Sequence, residues 1–89
     1  GLERTAAAAA AGGAQVVQLR EKGLSDRELL ERARTVRRLT RDAGVLFVVN
    51  DRPDVARLAD ADGVHLGQDD LTVADARRVV GPDALVGVS

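Results

Sequence analysis

The stretch Gly63 to Asp70, GVHLGQDD, decides the reading of this chain: a short apolar strand through Val64 and Leu66 runs without a break into a glycine, an amide and two adjacent carboxylates. A strand that ends in reactive side chains suggests a functional rim. The same arrangement recurs as VVQLREK at Val16 to Lys22 and as LFVVND at Leu46 to Asp51, and LVGVS closes the chain with a fourth strand and a hydroxyl at Ser89. The expectation is that these strand ends meet.

Outward from those strands the pattern is helical. Ser25 with Glu28 three residues on forms a capping box that opens a long helix. Leu29, Leu30, Ala33, Val36, Leu39 and Ala43 make its apolar stripe, with Arg32, Arg34, Arg37, Arg38 and Arg41 mostly outside it as a solvated face. Gly44 closes this helix, and Val45 to Val49 is a continuous β-branched and aromatic run, as in a central parallel strand. Pro53 suits the first turn of a short helix, Pro53 to Ala59, packed through Val55, Ala56 and Leu58. Thr72 with Asp75 caps a last helix with apolar positions Val73, Ala76, Val79 and Val80, stopped by Gly81-Pro82.

At the other end, Glu3 to Ala11 is alanine-rich and reads as a helix ended by Gly12-Gly13, the tail of a unit whose start is absent. Strands are expected at residues 14–19, 45–49, 64–66 and 84–88. The order α-β-α-β-α-β-α-β, with crossovers that allow only parallel pairing, predicts an α/β fold in a single incomplete domain over residues 1–89.

Composition narrows the function classes. Eighty-nine residues bury only about 60 to 65% of their unfolded surface, so a large architecture would be incomplete here. Thirteen basic against fourteen acidic residues leave a net charge of -1, and Phe47 is the one aromatic residue, which speaks against nucleic-acid partners and base-stacking platforms. Without cysteine there is no disulfide, thiolate metal site or cysteine nucleophile, and no apolar stretch approaches the ~20 residues of a membrane span. A cytoplasmic enzyme is the simplest compartment. Lys22, the single lysine beside twelve arginines, draws attention at a strand end.

In parallel α/β folds ligands bind at the carboxyl ends of the strands. Here those ends carry Gln18, Arg20 and Lys22; Asn50 and Asp51; Gln68, Asp69 and Asp70; and Ser89. Arginine offers a bidentate fork to phosphate oxygens, lysine a mobile charge, and two carboxylates from different strands are what Mg²⁺ takes from protein. The set points to a Mg²⁺-diphosphate site. Structural roles stand beside it: Arg20 in a salt-bridged loop, Asp51 as a cap of the Pro53 helix, one of Asp69 and Asp70 as a turn residue, and His65 as a satisfied structural histidine rather than a general base.

Taken together, QLREK, VVNDR, ADGVHLGQDDL followed by ARRVVG, and VGVS resemble thiamine phosphate synthase, in order from Gly12 to Ser89. The resemblance implies a partial TIM (β/α)8 barrel, its second to fifth strands with their helices. It also implies Mg²⁺ and the joining of hydroxymethylpyrimidine diphosphate to thiazole phosphate, giving thiamine phosphate and pyrophosphate. Carried over, Gln18, Leu19, Arg20, Glu21 and Lys22 form the pyrimidine diphosphate segment, with Arg20 and Lys22 on the phosphates and Leu19 and Glu21 contributing backbone at most. Asn50 contacts the same substrate, Ser89 matches a strand-end serine near it, and Asp51 and Asp70 match the two magnesium ligands. No protein nucleophile is implied. Asp69 receives no metal role.

The later loops that hold the thiazole phosphate and a further lysine in the family have no counterpart here, so the 89 residues alone are expected to be inactive. Three other readings compete. A thiazole tautomerase-like relative would tend to lose QLREK, ND and GQDD. A receiver-like phosphate-binding module would need an acidic pair where QLREK places cations. A non-catalytic half-barrel would self-associate through its open sheet edges.

Overall fold

The computed structural model describes residues 2–5, as backbone, and residues 15–89. Five strands and three helices follow one another: β1 (Leu2–Thr5), β2 (Val16–Leu19), α1 (Asp26–Ala43), β3 (Leu46–Asn50), α2 (Pro53–Leu58), β4 (Gly63–Leu66), α3 (Val73–Val80) and β5 (Leu85–Val88). They form one sheet whose strand order equals the chain order, parallel from β2 to β5. A doubly wound sheet reverses its order at a switch point. This one does not, and it is wound in one direction as a barrel wall is.

The helices cover a single face. Val17 and Leu19, Phe47 and Val49, and Val64 and Leu66 alternate inward from three strands and join Leu29, Ala33 and Val36 of α1, Val55 and Ala56 of α2, and Ala76 and Val80 of α3 in one buried cluster. Side chains of opposite parity, among them Val16, Gln18, Val48, Asn50 and His65, lie on the face without helices. Close approach of β4 and β5 depends on Gly63, where a Cβ would stand 2.7 Å from that of Leu85.

Local chemistry sets the helix ends. Ser25 accepts the Glu28 N–H at 3.2 Å while Glu28 takes the Ser25 N–H at 3.3 Å, and Gly44 ends α1 in the left-handed region at φ 70°. Thr72 accepts the Asp75 N–H at 3.2 Å to open α3.

Several expectations are corrected. Leu2–Thr5 is a strand antiparallel to β2, where a helix and exclusively parallel pairing were expected. The edge of β2 offers a ladder of backbone groups with which Leu2–Thr5 pairs. Residues 6–11 of that expected helix, and Gly12-Gly13, lie outside the described residues. On α1 the buried face runs Leu29, Ala33, Val36, Arg37 and Thr40, while Leu39 is exposed and Ala43 lies outside the core. Leu58 of α2 and Val73 and Val79 of α3 are likewise exposed, and Ala59 is buried in place of Leu58.

Candidate active site

Parallel register brings the strand ends to one rim. Leu19 lies beside Val49, Asn50 beside His65, and Leu66 beside Val88, so the residues that follow each strand emerge together. On the helix-free face, apolar Val16, Val48 and Leu85 floor a concavity of about 450 Å³, and Gln18, His65 and Gly87 border it. The Gln18 amide donates from Nε2 to Oδ1 of Asn50, locking the two amides together across neighbouring strands. Leu19 turns its side chain into the core, and Glu21 pairs with Arg32 at 3.0 Å.

Beyond β3 the chain bends sharply. Asp51 takes φ 68°, a left-handed conformation unusual for a residue with a side chain, and its N–H donates to the His65 carbonyl at 2.8 Å. The cap of α2 falls on Arg52, without a side-chain capping bond, so Asp51 does not serve as the helix cap that sequence left open. Arg52 instead reaches Asp54 and Asp26, each at 2.9 Å, and ties the starts of α2 and α1 together.

The Asp51 carboxyl faces that of Asp70. Asp70 Oδ2 accepts the Gly67 N–H at 2.7 Å, folding the Gly67–Asp70 turn back on itself. Burial pushes the Asp51 carboxyl up, and hydrogen bonding to Asp70 and its charge add to this, while Lys22 and Arg20 pull the other way. The Gly67 amide holds the Asp70 carboxyl down, helped by the hydrogen bond from Asp51 and by the charge of Lys22. The two carboxyls are therefore driven apart, that of Asp51 upward and that of Asp70 downward. Of the expected set the structure brings together Gln18 with Asn50, Asp51 with Asp70 under the field of Lys22, and His65 with Ser89 at 2.5 Å. Asp69 stands exposed in the turn, away from this pairing.

Two contacts were not anticipated. The amide-to-amide bond follows from Gln18 and Asn50 sharing a sheet face, and the signal for the histidine contact is Gly87, which lies beside His65 in register and two residues before Ser89.

The family model described as thiamine monophosphate synthase matches residues 1–89. The chain belongs to this family. A thiamine-phosphate synthase of Methanoculleus marisnigri is 60% identical over 81 residues, covering 91% of this chain and 38% of that protein. One from Xanthobacter autotrophicus is 53% identical over 89 residues, covering 100% of this chain and 42% of the relative. The solved structure of thiamine phosphate pyrophosphorylase from Pyrococcus furiosus superposes with a TM-score of 0.77 at 41% identity, over 82% of this chain and 36% of that one. The chain thus spans about two fifths of the length of the relatives it matches. Within the thiamine monophosphate synthase family, its four parallel strands and their helices are the part of the barrel-like fold seen here.

Proposed function

We propose that these residues form the diphosphate-binding part of a thiamine phosphate synthase, carried on part of a TIM-barrel wall. The reaction joins hydroxymethylpyrimidine diphosphate to thiazole phosphate and releases pyrophosphate. One observation carries the reading: the Asp51–Asp70 pair, from neighbouring strand ends, lies under the positive field of Lys22. Two neighbouring carboxylates whose charges oppose each other are suited to accepting a divalent cation.

Among the described residues no group of three or more His, Cys, Asp or Glu side chains could hold a metal, and Mg²⁺ typically takes only one or two carboxylates from protein, leaving the rest to phosphate and water. Asp51 and Asp70 would hold it. When bound, Mg²⁺ supplies positive charge that stabilises the departing pyrophosphate.

The chain's own groups do the remaining work. Arg20 and Lys22 bind phosphate oxygens and oppose the charge that builds as the carbon–oxygen bond breaks. Asn50, fixed by Gln18, positions the pyrimidine, whose amino group supports the carbocation until the thiazole nitrogen attacks it. Leu19 and Glu21 shape the segment, since their side chains are engaged elsewhere. No covalent intermediate with protein is needed, which suits a chain without cysteine. Among the described residues no helix is long and apolar enough to cross a membrane, and diphosphorylated substrates favour a cytoplasmic setting. The partners in this reading are these small molecules, with neither nucleic acid nor membrane.

The test is magnesium-dependent turnover of the full-length protein. Asp51→Asn and Asp70→Asn should each lower it by about 100-fold or more at limiting metal, because each removes a ligand. Unchanged magnesium dependence in both variants would refute the metal assignment.

A further inference from the structure

His65, the single histidine of the chain, stands in the middle strand ladder between Asn50 and Gly87. Its ring lies against the backbone of β5: a Cβ at residue 87 would come within 2.9 Å of Nδ1 and 3.6 Å of Cε1. From this seat Nε2 reaches Ser89 Oγ at 2.5 Å, while the Ser89 N–H is held by the Leu66 carbonyl at 3.0 Å. Both halves of Ser89 are thus fixed from β4. The glycine opposite the ring and the serine at its tip together fix where Nε2 points.

We propose that His65 is a positioning residue that donates its Nε2–H to Ser89 Oγ, so that the serine's own proton points outward to a diphosphate oxygen of the substrate. This rests on the synthase reading above. A serine hydroxyl has one proton and two lone pairs. If Nε2 accepted the proton, Ser89 would present only lone pairs to the rim, and lone pairs repel phosphate oxygens. If Nε2 donates, one lone pair is occupied and the proton is free for an anion. Lys22 and Arg20 act on the same rim, so an anion is the ligand to be met there. Gly87 is then a requirement of the arrangement, because any side chain would lift the ring away from Ser89.

Four variants of the full-length protein test this: His65→Ala, Ser89→Ala, the double variant and His65→Gln. His65→Ala and Ser89→Ala should each lower kcat/KM about tenfold or more, the range of a lost hydrogen bond to a charged group. The double variant should be no worse than Ser89→Ala alone. His65→Gln, whose amide N–H can stand in for Nε2–H, should recover most of the His65→Ala loss. Additive losses with no recovery by glutamine would mean a merely structural histidine and overturn the proposal. Long-range ¹H–¹⁵N spectra, with the His65 signals identified by their loss in His65→Gln, provide a readout independent of turnover. Protonated Nε2 that changes its signature in Ser89→Ala supports the proposal, and a neutral ring protonated at Nδ1 overturns it. A full-length protein with no synthase activity would sink the function while leaving the His65–Ser89 geometry to be judged on those spectra.

Discussion

Asp51 combines two unfavourable conditions: a backbone at φ 68° and a carboxyl beside that of Asp70. Left-handed conformation costs on the order of 1–2 kcal/mol for most residues and least for Asp and Asn, which explains why the type is confined here. The pH dependence has a definite sign. Because the folded state raises the Asp51 pKa, it prefers the protonated form, so its destabilising effect grows as pH rises from the unfolded value through the folded one. Asp51→Asn, which tolerates the same backbone and lacks the charge, should therefore raise the metal-free Tm at pH 7 and leave it nearly unchanged at pH 3, measured by thermal melts in chelator. A lower Tm at pH 7 would contradict the upward shift of the Asp51 carboxyl. Asp54 has the opposite sign: its bond from Arg52 lowers its pKa, and the stability it contributes is present above the unfolded value and lost as pH falls through the folded one. Sequence put Asp51 and Asp70 at strand ends because the strands were short and bounded. It could not exclude Asp51 as a helix cap, since that depends on one backbone angle that many residue patterns share.

At the scale of elements, α1 is joined to the sheet through a buried charge. Arg37 is only 8% exposed; its NH1 meets Asp62 Oδ2 at 2.9 Å, and that same oxygen accepts the Phe47 N–H at 2.7 Å. The guanidinium carbon stands 5.8 Å from the Phe47 ring centre. The expected solvated arginine face holds for Arg32, Arg34, Arg38 and Arg41, all exposed, and fails at Arg37. Spacing held the answer, because Leu29, Ala33 and Arg37 follow one another at four-residue steps on one helix face, but residue type outweighed position. Leu39 misled in the opposite direction, being apolar but off the face. Arg37→Ala leaves the partly exposed Asp62 without its partner and should cost about 2 kcal/mol, below the full penalty for a wholly buried pair. Urea denaturation checks this, and a loss below about 0.5 kcal/mol would mean that the pair is as weak as a surface bridge.

For the molecule as a whole, the asymmetry of the two sheet faces governs behaviour. Among the described residues three helices cover one face, while Val16, Val48 and Leu85 on the other border an open concavity. The α/β class and the strand ends were legible from alternation and from capping residues. The antiparallel β1 was not, because nothing in Leu2–Thr5 itself signals the edge that β2 offers. With only the diphosphate half of the proposed site, the 89-residue chain should show no thiamine phosphate formation above a Lys22→Ala control, and it should self-associate. Turnover by the isolated chain, or sedimentation as a compact monomer, would count against these two expectations in turn.

Strand order that equals chain order has a consequence for how the protein is made. Each strand pairs only with neighbours in sequence, so loop closures stay short and the sheet can zip up one strand and helix at a time as the chain leaves the ribosome. Asp51 and Asp70 are brought together when the Gly67–Asp70 turn follows β4 into place, before β5 is needed. The two carboxylates would thus be assembled before Ser89 takes its place on the rim.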